Sequence, residues 1–449
     1  MMKMKTALQK MRSVTAFLGL GACVWCASAA TAAPGPNPPP PPQPQQPAES
    51  GGAWTLQRYL RQVAVSNLDL LAQKLNVPIA DAQIAIARMF PDPQLTGGIS
   101  QVDVSGQGAP LLSTLGVSLQ LEMGGKRGAR SAAAEADAQV ARSTLEDFLR
   151  TLRGDASSAY IDALYTRMVR ERKQRTLESL EKLVAINQQR LRVGDIGEVA
   201  VLQSRVEAQR FHGDVLAAQA EVRVADLRVA QFLGKSRPGP QLEVLISGEL
   251  RMEGRTFDEA QLVETARQRR PDVRAQQLAQ EAARARVKLA RANRYTDLIF
   301  NVSWQRSLNS EPFASPPYDA LAATATIALP FSRIYHGELD AARYSQDRSL
   351  HLMGGAELRA EVEVRTALVR YRAASDQVKI YTQGVLADAD KVHAATLYTF
   401  QRGGATLLEV LNAQRTVDDV YLNYYGALAE HARQLVLVEQ AAGIWDVAF

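Results

Sequence analysis

The side chains best suited to chemistry in this chain are five histidines, two cysteines and one glycine-rich cationic run. His212, His336, His351, His393 and His431 are scattered along helix-forming segments without a clustered carboxylate or cysteine partner, so they predict neither a metal centre nor an acid-base pair. Residues 124–130, GGKRGAR, hold glycines beside cations but lack the G-x-x-x-x-G-K-[ST] order that cradles a phosphate. Nine methionines, several of them near the start of the chain, give no thioether path for copper. Cys23 and Cys26 stand in the first thirty residues and none follows, which removes disulfide and thiolate-zinc chemistry from everything beyond. The expectation is a protein without catalytic residues, cofactor or resident metal.

The chemistry that remains is processing. A basic start, the short apolar run VTAFLGLGA and then small residues read as a secretory leader. Ala30-Thr31-Ala32 offers cleavage before Ala33, giving a leader of 1–32. Leu20-Gly21-Ala22-Cys23 offers a lipoprotein site instead, in which the leader is 1–22 and Cys23 is lipidated. The sequence leaves both open. Residues 33–52 form a proline-rich tether that runs extended and does not pack. The formal charge of +5 misleads, because taking Lys3, Lys5, Lys10 and Arg12 of the leader from 52 cations leaves 48 against 47 acids. A near-neutral mature chain does not support nucleic-acid binding.

What positions such a chain is an internal repeat. Gly128 and Gly337, Ala132-Ala133 and Ala341-Ala342, Gly194 and Gly403, Val201-Leu202 and Val410-Leu411, Val229 and Val438, Gln231 and Gln440, and Gly234 and Gly443 are all 209 positions apart. Equal spacing over so many landmarks implies a shared geometry. The reading is a first repeat over 53–238 and a second over 239–449. The first has strands at about 95–105 and 115–123 and a helical hairpin at about 130–232, turning at Gly194. The second has strands at about 297–305 and 321–329 and a hairpin at about 337–442, turning at Gly403-Gly404. A further helix covers ARQRRPDVRAQQLAQEAARARVKLARANR, with Pro271 in a tolerated first-turn position. Leu145, Leu149, Leu152, Ala156, Ala159 and Ala163, then Leu177, Leu180, Val184, Asn187 and Leu191, step by three and four as in a coiled coil. An unbroken helix from Gly128 to Gly194 would be roughly 100 Å long.

The strands alternate. Val117, Leu119, Leu121 and Met123 share one face against Ser118, Gln120 and Glu122; Leu298, Phe300, Val302 and Trp304 share one face against Ile299, Asn301, Ser303 and Gln305. Each segment has the length that crosses a bilayer when tilted. Four strands alone would leave open edges that hydrocarbon cannot satisfy, so closure needs more than one chain.

The repeated strand-strand-helix-turn-helix plan, RPDVRAQ at 270–276, and the turn sequences RVGDIGEVAVLQS and QRGGATLLEVLNAQR together resemble the TolC-type outer membrane efflux proteins over nearly all of the chain after the tether. LEMGGKRGAR further resembles the branch serving cobalt-zinc-cadmium-type efflux systems of the resistance-nodulation-division (RND) class. The resemblance implies an α plus transmembrane-β fold: a homotrimer whose chains each give four strands to a twelve-stranded barrel and helices to a coiled-coil periplasmic tunnel. It implies the outer membrane of a Gram-negative bacterium, a periplasmic adaptor, an inner-membrane RND pump, and a passive exit duct for heavy-metal cations. The barrel-to-tunnel junction would be Gly124 and Gly125, with Lys126 and Arg127 near the inner headgroups of the outer membrane lipid. Gly194, Asp195, Gly403 and Gly404 would form hairpin tips that meet the adaptor. Glu409 would project into the pore aperture as a ring of negative charge, weakened because Asn412 stands where the best-known member is acidic. Phe400, Ala405, Val199 and Ala200 occupy that member's aperture-linking positions and lack its hydrogen-bonding groups. Two other functions remain open: the same duct serving drug efflux or type I secretion, and a pore-less periplasmic coiled-coil scaffold.

Overall fold

The computed structural model describes residues 53–101, 111–234, 246–252, 254–308, 318–331 and 336–445. The leader, Cys23, the tether, the repeat boundary at 238/239 and the end of the first expected strand lie outside the described residues. The elements are α1 Leu56–Ser66, α2 Leu68–Lys74, α3 Asn76–Arg88, β1 Gln94–Ser100, β2 Leu111–Leu121, α4 Lys126–Arg192, α5 Glu198–Phe232, α6 Glu259–Arg269, α7 Pro271–Ala292, β3 Leu298–Leu308, β4 Asp319–Ile327, α8 Gly337–Ile380, α9 Leu386–Gln401 and α10 Leu407–Ala442. A π-helical turn, Tyr381–Val385, joins α8 to α9.

The four strands form one antiparallel sheet in the order β1-β2-β3-β4. Register aligns their alternation. Leu121, Leu298 and Ile327 stand abreast, as do Leu119, Phe300 and Ala325, and Leu115, Trp304 and Leu321. Cross-strand partners share a face, so this side is a continuous apolar surface. The other side carries Thr96, Gly116, Ser303 and Ala322 in one row and Ser118, Asn301 and Thr324 in another. β1 and β4 are each paired on one side only. The strands differ from the expected limits at their ends: β2 begins at Leu111, β3 continues to Leu308, and β4 begins at Asp319 and stops before Pro330, which has no N–H to give a ladder.

α4 is a single helix of 67 residues. Alanine, leucine and long polar residues suit it, and small side chains at Ala156, Ala159 and Ala163 let other helices approach closely. It ends where Gly194 takes φ 77°, with its N–H donating to Leu191 O and the Asp195 N–H to Arg190 O, the left-handed stop that releases a chain from a helix. Three clusters hold the helices together. Tyr59, Tyr160, Ile161, Leu164, Val229, Leu428 and Val436 join α1, α4, α5 and α10. Leu262, Val263, Val364, Leu368, Tyr371, Leu435 and Val438 join α6, α8 and α10. Leu177, Leu180, Leu183, Phe211, Val215, Phe400, Val410 and Leu411 join the hairpins near their turns.

Two expectations need correction. The first arm of the hairpin expected at about 337–442 is broken at the π turn, where Gly384 adopts φ 157° and ψ −31°. The helix expected across RQRRPDVRAQ is two helices, because the residue before a proline is pushed out of the helical region and Arg270 takes ψ 124°. The sequence reading also passed over α1 to α3, although Leu56, Tyr59 and Val63 at three- and four-residue steps are buried on one face of α1.

Candidate functional site

Three places combine unusual backbone with concentrated polar groups: the sheet-to-helix junction, the middle of the hairpins, and their turns.

At the junction Gly124 and Gly125 both have left-handed φ, 69° and 70°. A Cβ on Gly124 would overlap the Tyr295 side chain, so glycine is required there for two reasons. Lys126 is turned into the protein. It is buried, and its Nζ pairs with Asp297 Oδ1 at 2.6 Å, because the turn aims it back under the sheet. Asp297 also accepts from the Met123 N–H at 3.2 Å and Gln120 Nε2 at 3.0 Å. Burial pushes the Asp297 carboxyl up, but the bonds from Lys126, Met123 and Gln120 outweigh this and hold it below the usual carboxylate range. Arg130 grips both oxygens of Glu122 and donates to Ala87 O and Met89 O, tying the end of α3 to the end of β2. Arg127 is exposed, its guanidinium 3.8 Å above the Phe90 ring.

In the middle, Asp418 of α10 accepts from Arg172 and Thr176 of α4 at 3.0 and 2.6 Å and from Gln414 at 3.1 Å. Arg172 also lies 4.1 Å over the Tyr421 ring, and the Tyr421 hydroxyl donates to Asp390 of α9 at 2.6 Å. The bond to Asp390, with burial, pushes that hydroxyl up to about 12. One polar chain therefore connects α4, α10 and α9 just beyond the π turn.

At the turns, Gly194 and Gly403 have φ 77° and 78°, and Gly404 donates to Thr399 O as Asp195 does to Arg190 O. Arg190 bridges the two: its Nε donates to Asp195 Oδ2 at 2.6 Å and its Nη1 to Phe400 O at 3.2 Å. Phe400 is only 4% exposed, with its ring under the Arg190 guanidinium and packed in the inner cluster, where an aromatic ring gains most from burial. Glu409 and Asn412 are exposed on one face of α10. The Glu409 carboxylate, however, accepts the Thr406 N–H at 2.7 Å while Thr406 Oγ1 accepts the Glu409 N–H at 3.3 Å, a capping box. Val199 is exposed, and Ala200 and Ala405 pack at the edge of the turn cluster. The sequence reading missed Arg190 entirely, and the T-L-L-E spacing was a signal for the capping box that it did not use.

RPDVRAQ also acquires a physical role. Arg270 is 2% exposed; it grips both oxygens of Asp272, pairs with Glu363 at 2.7 Å and donates to Ala441 O at 3.1 Å. It clamps the end of α10 to the break between α6 and α7. The histidines stay apart. His431 is buried with its ring 5.0 Å from Tyr371, while the other four lie at the surface or partly exposed. Among the described residues no group of three His, Cys, Asp or Glu could hold a metal ion, and no helix is long and apolar enough to cross a membrane.

Comparison with known proteins agrees with this architecture. The chain is 24% identical over 403 residues to the cobalt-zinc-cadmium resistance protein CzcC of Cupriavidus metallidurans, covering 88% of this chain and 92% of that one. It is 23% identical over 410 residues to nodulation protein T of Rhizobium leguminosarum bv. trifolii, covering 86% and 85%. Among solved structures CusC superposes with a TM-score of 0.69 at 20% identity over 90% of this chain and 97% of that one. The open state of the MtrE outer membrane channel of Neisseria gonorrhoeae gives 0.68 at 18% over 87% and 89%. The profile described as outer membrane efflux protein matches residues 59–235 and 262–443, well over half of the chain. With its four-stranded sheet and two long helical hairpins in the TolC-type arrangement, this chain belongs to the outer membrane efflux protein family.

Proposed function

We propose that three copies of the chain close one twelve-stranded barrel and prolong it with their hairpins into a tunnel, and that this passive duct carries heavy-metal cations out of the cell. The observation that carries the reading is the pair of unpaired sheet edges, β1 and β4, flanking a face of lipid-compatible side chains. Open edges cannot be left in hydrocarbon, and joining β4 of one copy to β1 of the next satisfies both. The duct has no catalytic step of its own. It works with a periplasmic adaptor that meets Gly194, Asp195, Gly403 and Gly404, and with an inner-membrane RND pump. The leader is removed at one of its two candidate sites, and 53–238 and 239–449 are the two repeats of the mature chain.

Cargo rests on the GGKR resemblance and on the relative named for cobalt, zinc and cadmium resistance. Another relative, 26% identical over 396 residues, is named for pyoverdine export in Pseudomonas aeruginosa, which supports an organic cargo as the second reading. A deletion strain sensitised to zinc, cadmium or cobalt but not to antibiotics supports the first; the reverse profile replaces it with the second.

Duct formation is tested separately, by disulfide trapping of cysteines placed on β1 and β4 and by conductance in a planar bilayer. No cross-link and no conductance would sink it. At the aperture, Glu409 with Asn412 forms the polar ring. Glu409→Gln keeps the capping geometry and removes the charge, so cation preference should fall while the fold stays intact. Unchanged selectivity would leave Glu409 with its capping role alone.

A further inference from the structure

The four strand ends that face the helices share a feature that the duct does not require. Just outside each stands one exposed aromatic or long apolar side chain: Phe90 before β1, Met123 after β2, Tyr295 before β3 and Phe331 after β4, exposed by 68, 48, 62 and 72%. They stand next to the strand ends as exposed side chains with apolar bodies, the kind that sit at a membrane interface.

Charge at this level is one-sided. The connecting segments 88–93, 122–130, 291–297 and 328–331 hold six cations and three acids among the described residues. In the sequence between β1 and β2 and between β3 and β4, residues 101–110 and 309–318 hold two acids and no cation. Two of the three acids on the helix side are spent inside the protein: Glu122 is gripped by Arg130 and Asp297 by Lys126. Asp92 stays exposed, as does Glu338 in the first turn of α8. Arg127, Arg291 and Arg294 are exposed and have no carboxylate partner among the described residues. The pairs Lys126–Asp297 and Asp137–Arg286 fix the antiparallel alignment of α4 and α7. This puts Arg294 about level with position 129 and Arg291 with position 132, all within roughly 8 Å of Arg127 along the axis at about 1.5 Å per residue.

The geometry points to a lipid-binding collar: Arg127, Arg291 and Arg294, grouped beside the exposed Phe90, Tyr295 and Phe331, bind the phosphate of anionic phospholipid headgroups in the leaflet nearest the helices. Arg127 stacks on the Phe90 ring at the rim of the apolar ring, and Arg294 and Arg291 follow within roughly 8 Å toward the helices, at phosphate depth, where planar forked donors match phosphate oxygens. Burying Lys126 against Asp297 and Glu122 against Arg130 removes charges that would oppose or blur this pattern. This inference rests on the sheet being the membrane-embedded part.

The test uses the full chain in neutral detergent, immobilised and stripped of lipid, with tail-labelled phosphatidylglycerol and phosphatidylcholine as probes. Phosphatidylglycerol should be retained at least about fivefold better, since one arginine near an anionic surface is worth about that factor. The preference should weaken with added sodium chloride. Substituting Arg127→Gln, Arg291→Gln and Arg294→Gln together should abolish it, whereas Arg306→Gln at the opposite end should leave it unchanged. Equal retention of the two lipids by the wild type, or an undiminished preference in the triple variant, overturns the collar. The wild-type comparison decides even if the triple variant fails to fold. Inorganic phosphate should release lipid no better than chloride at equal ionic strength; stronger release would make this a free-phosphate site and overturn the lipid assignment. Loss of conductance with the lipid preference intact would count against the duct and not against the collar.

Discussion

At their bases the two hairpins are built differently. α4 starts from two left-handed glycines, with Lys126 buried against Asp297 and Arg130 locked to Glu122. α8 starts at Gly337 behind His336, which supplies no side-chain cap. Higher up, α4 continues without a break, burying Leu177, Leu180, Leu183 and Asn187 on its way to the turn. The matching arm is interrupted by Tyr381–Val385, and α9 beyond it buries only Ala389 and Phe400. A π turn inserts a residue into the helical cycle and rotates everything beyond it by about 100°. At the turns the balance reverses: Thr406 and Glu409 cap α10, whereas Gly197, at the equivalent place before α5, makes no side-chain cap. One hairpin is a strut fixed at its root. The other is a jointed arm whose far half is held by its cap, by Tyr421–Asp390 and by Arg190 reaching across from its neighbour.

Removing the root should have the largest effect. Asp297→Asn leaves the buried Lys126 ammonium without its counter-charge and should cost about 3–5 kcal/mol, read as a fall in thermal midpoint of the purified protein. His336→Ala, at the second root, should change little. If both cost the same, the contrast between strut and jointed arm fails at its base. Because the Asp297 carboxyl is held below its ordinary value, its contribution is present above the unfolded-state value. It is lost as pH falls through the folded one, so acid should narrow the gap between wild type and variant.

Next comes the joint. Gly384→Ala places a Cβ at φ 157° and should cost about 1–3 kcal/mol, or force the π turn to straighten. Arg175→Ala, 209 positions earlier on the exposed face of α4, should stay within about 0.5 kcal/mol. Hydrogen exchange resolved by segment would localise the response to α9 in the first case.

The cap should matter less. Thr406→Ala should destabilise α10 by about 1 kcal/mol, whereas Gly197→Ser should stabilise the start of α5 slightly, both measured by chemical denaturation. Smallest is the bridge between turns. Arg190→Ala should cost no more than about 1 kcal/mol, given a partly exposed pair, yet should raise protease sensitivity at 400–404 more than at 193–197. Equal sensitivity at both turns would mean that Arg190 does not brace the second arm.

Much of this molecule was legible as pattern. The alternation in VSLQLEM and LIFNVSW depends only on the two-residue period of a strand, and the glycines at 124, 125, 194 and 403 mark reversals that few other residues tolerate. The repeat offset located both turns. Interactions between distant residues were not legible. Lys126 and Asp297 are 171 positions apart, and Arg190 and Phe400 O 210 apart, so no local window contains either pair. The π turn carries Gly384, a weak helix former, where its counterpart has Arg175, but a single glycine inside a helical pattern does not by itself mark a break.

The sequence by itself determined the strand faces, the places where the chain must turn and the existence of two matched halves, because these follow from local sterics and from periodicity. Only the tertiary structure decided which cations are buried and which remain exposed, which hairpin is jointed, and that Phe400 looks inward. Those outcomes depend on what each side chain meets across the fold, and a charge or a ring takes its role from that neighbour.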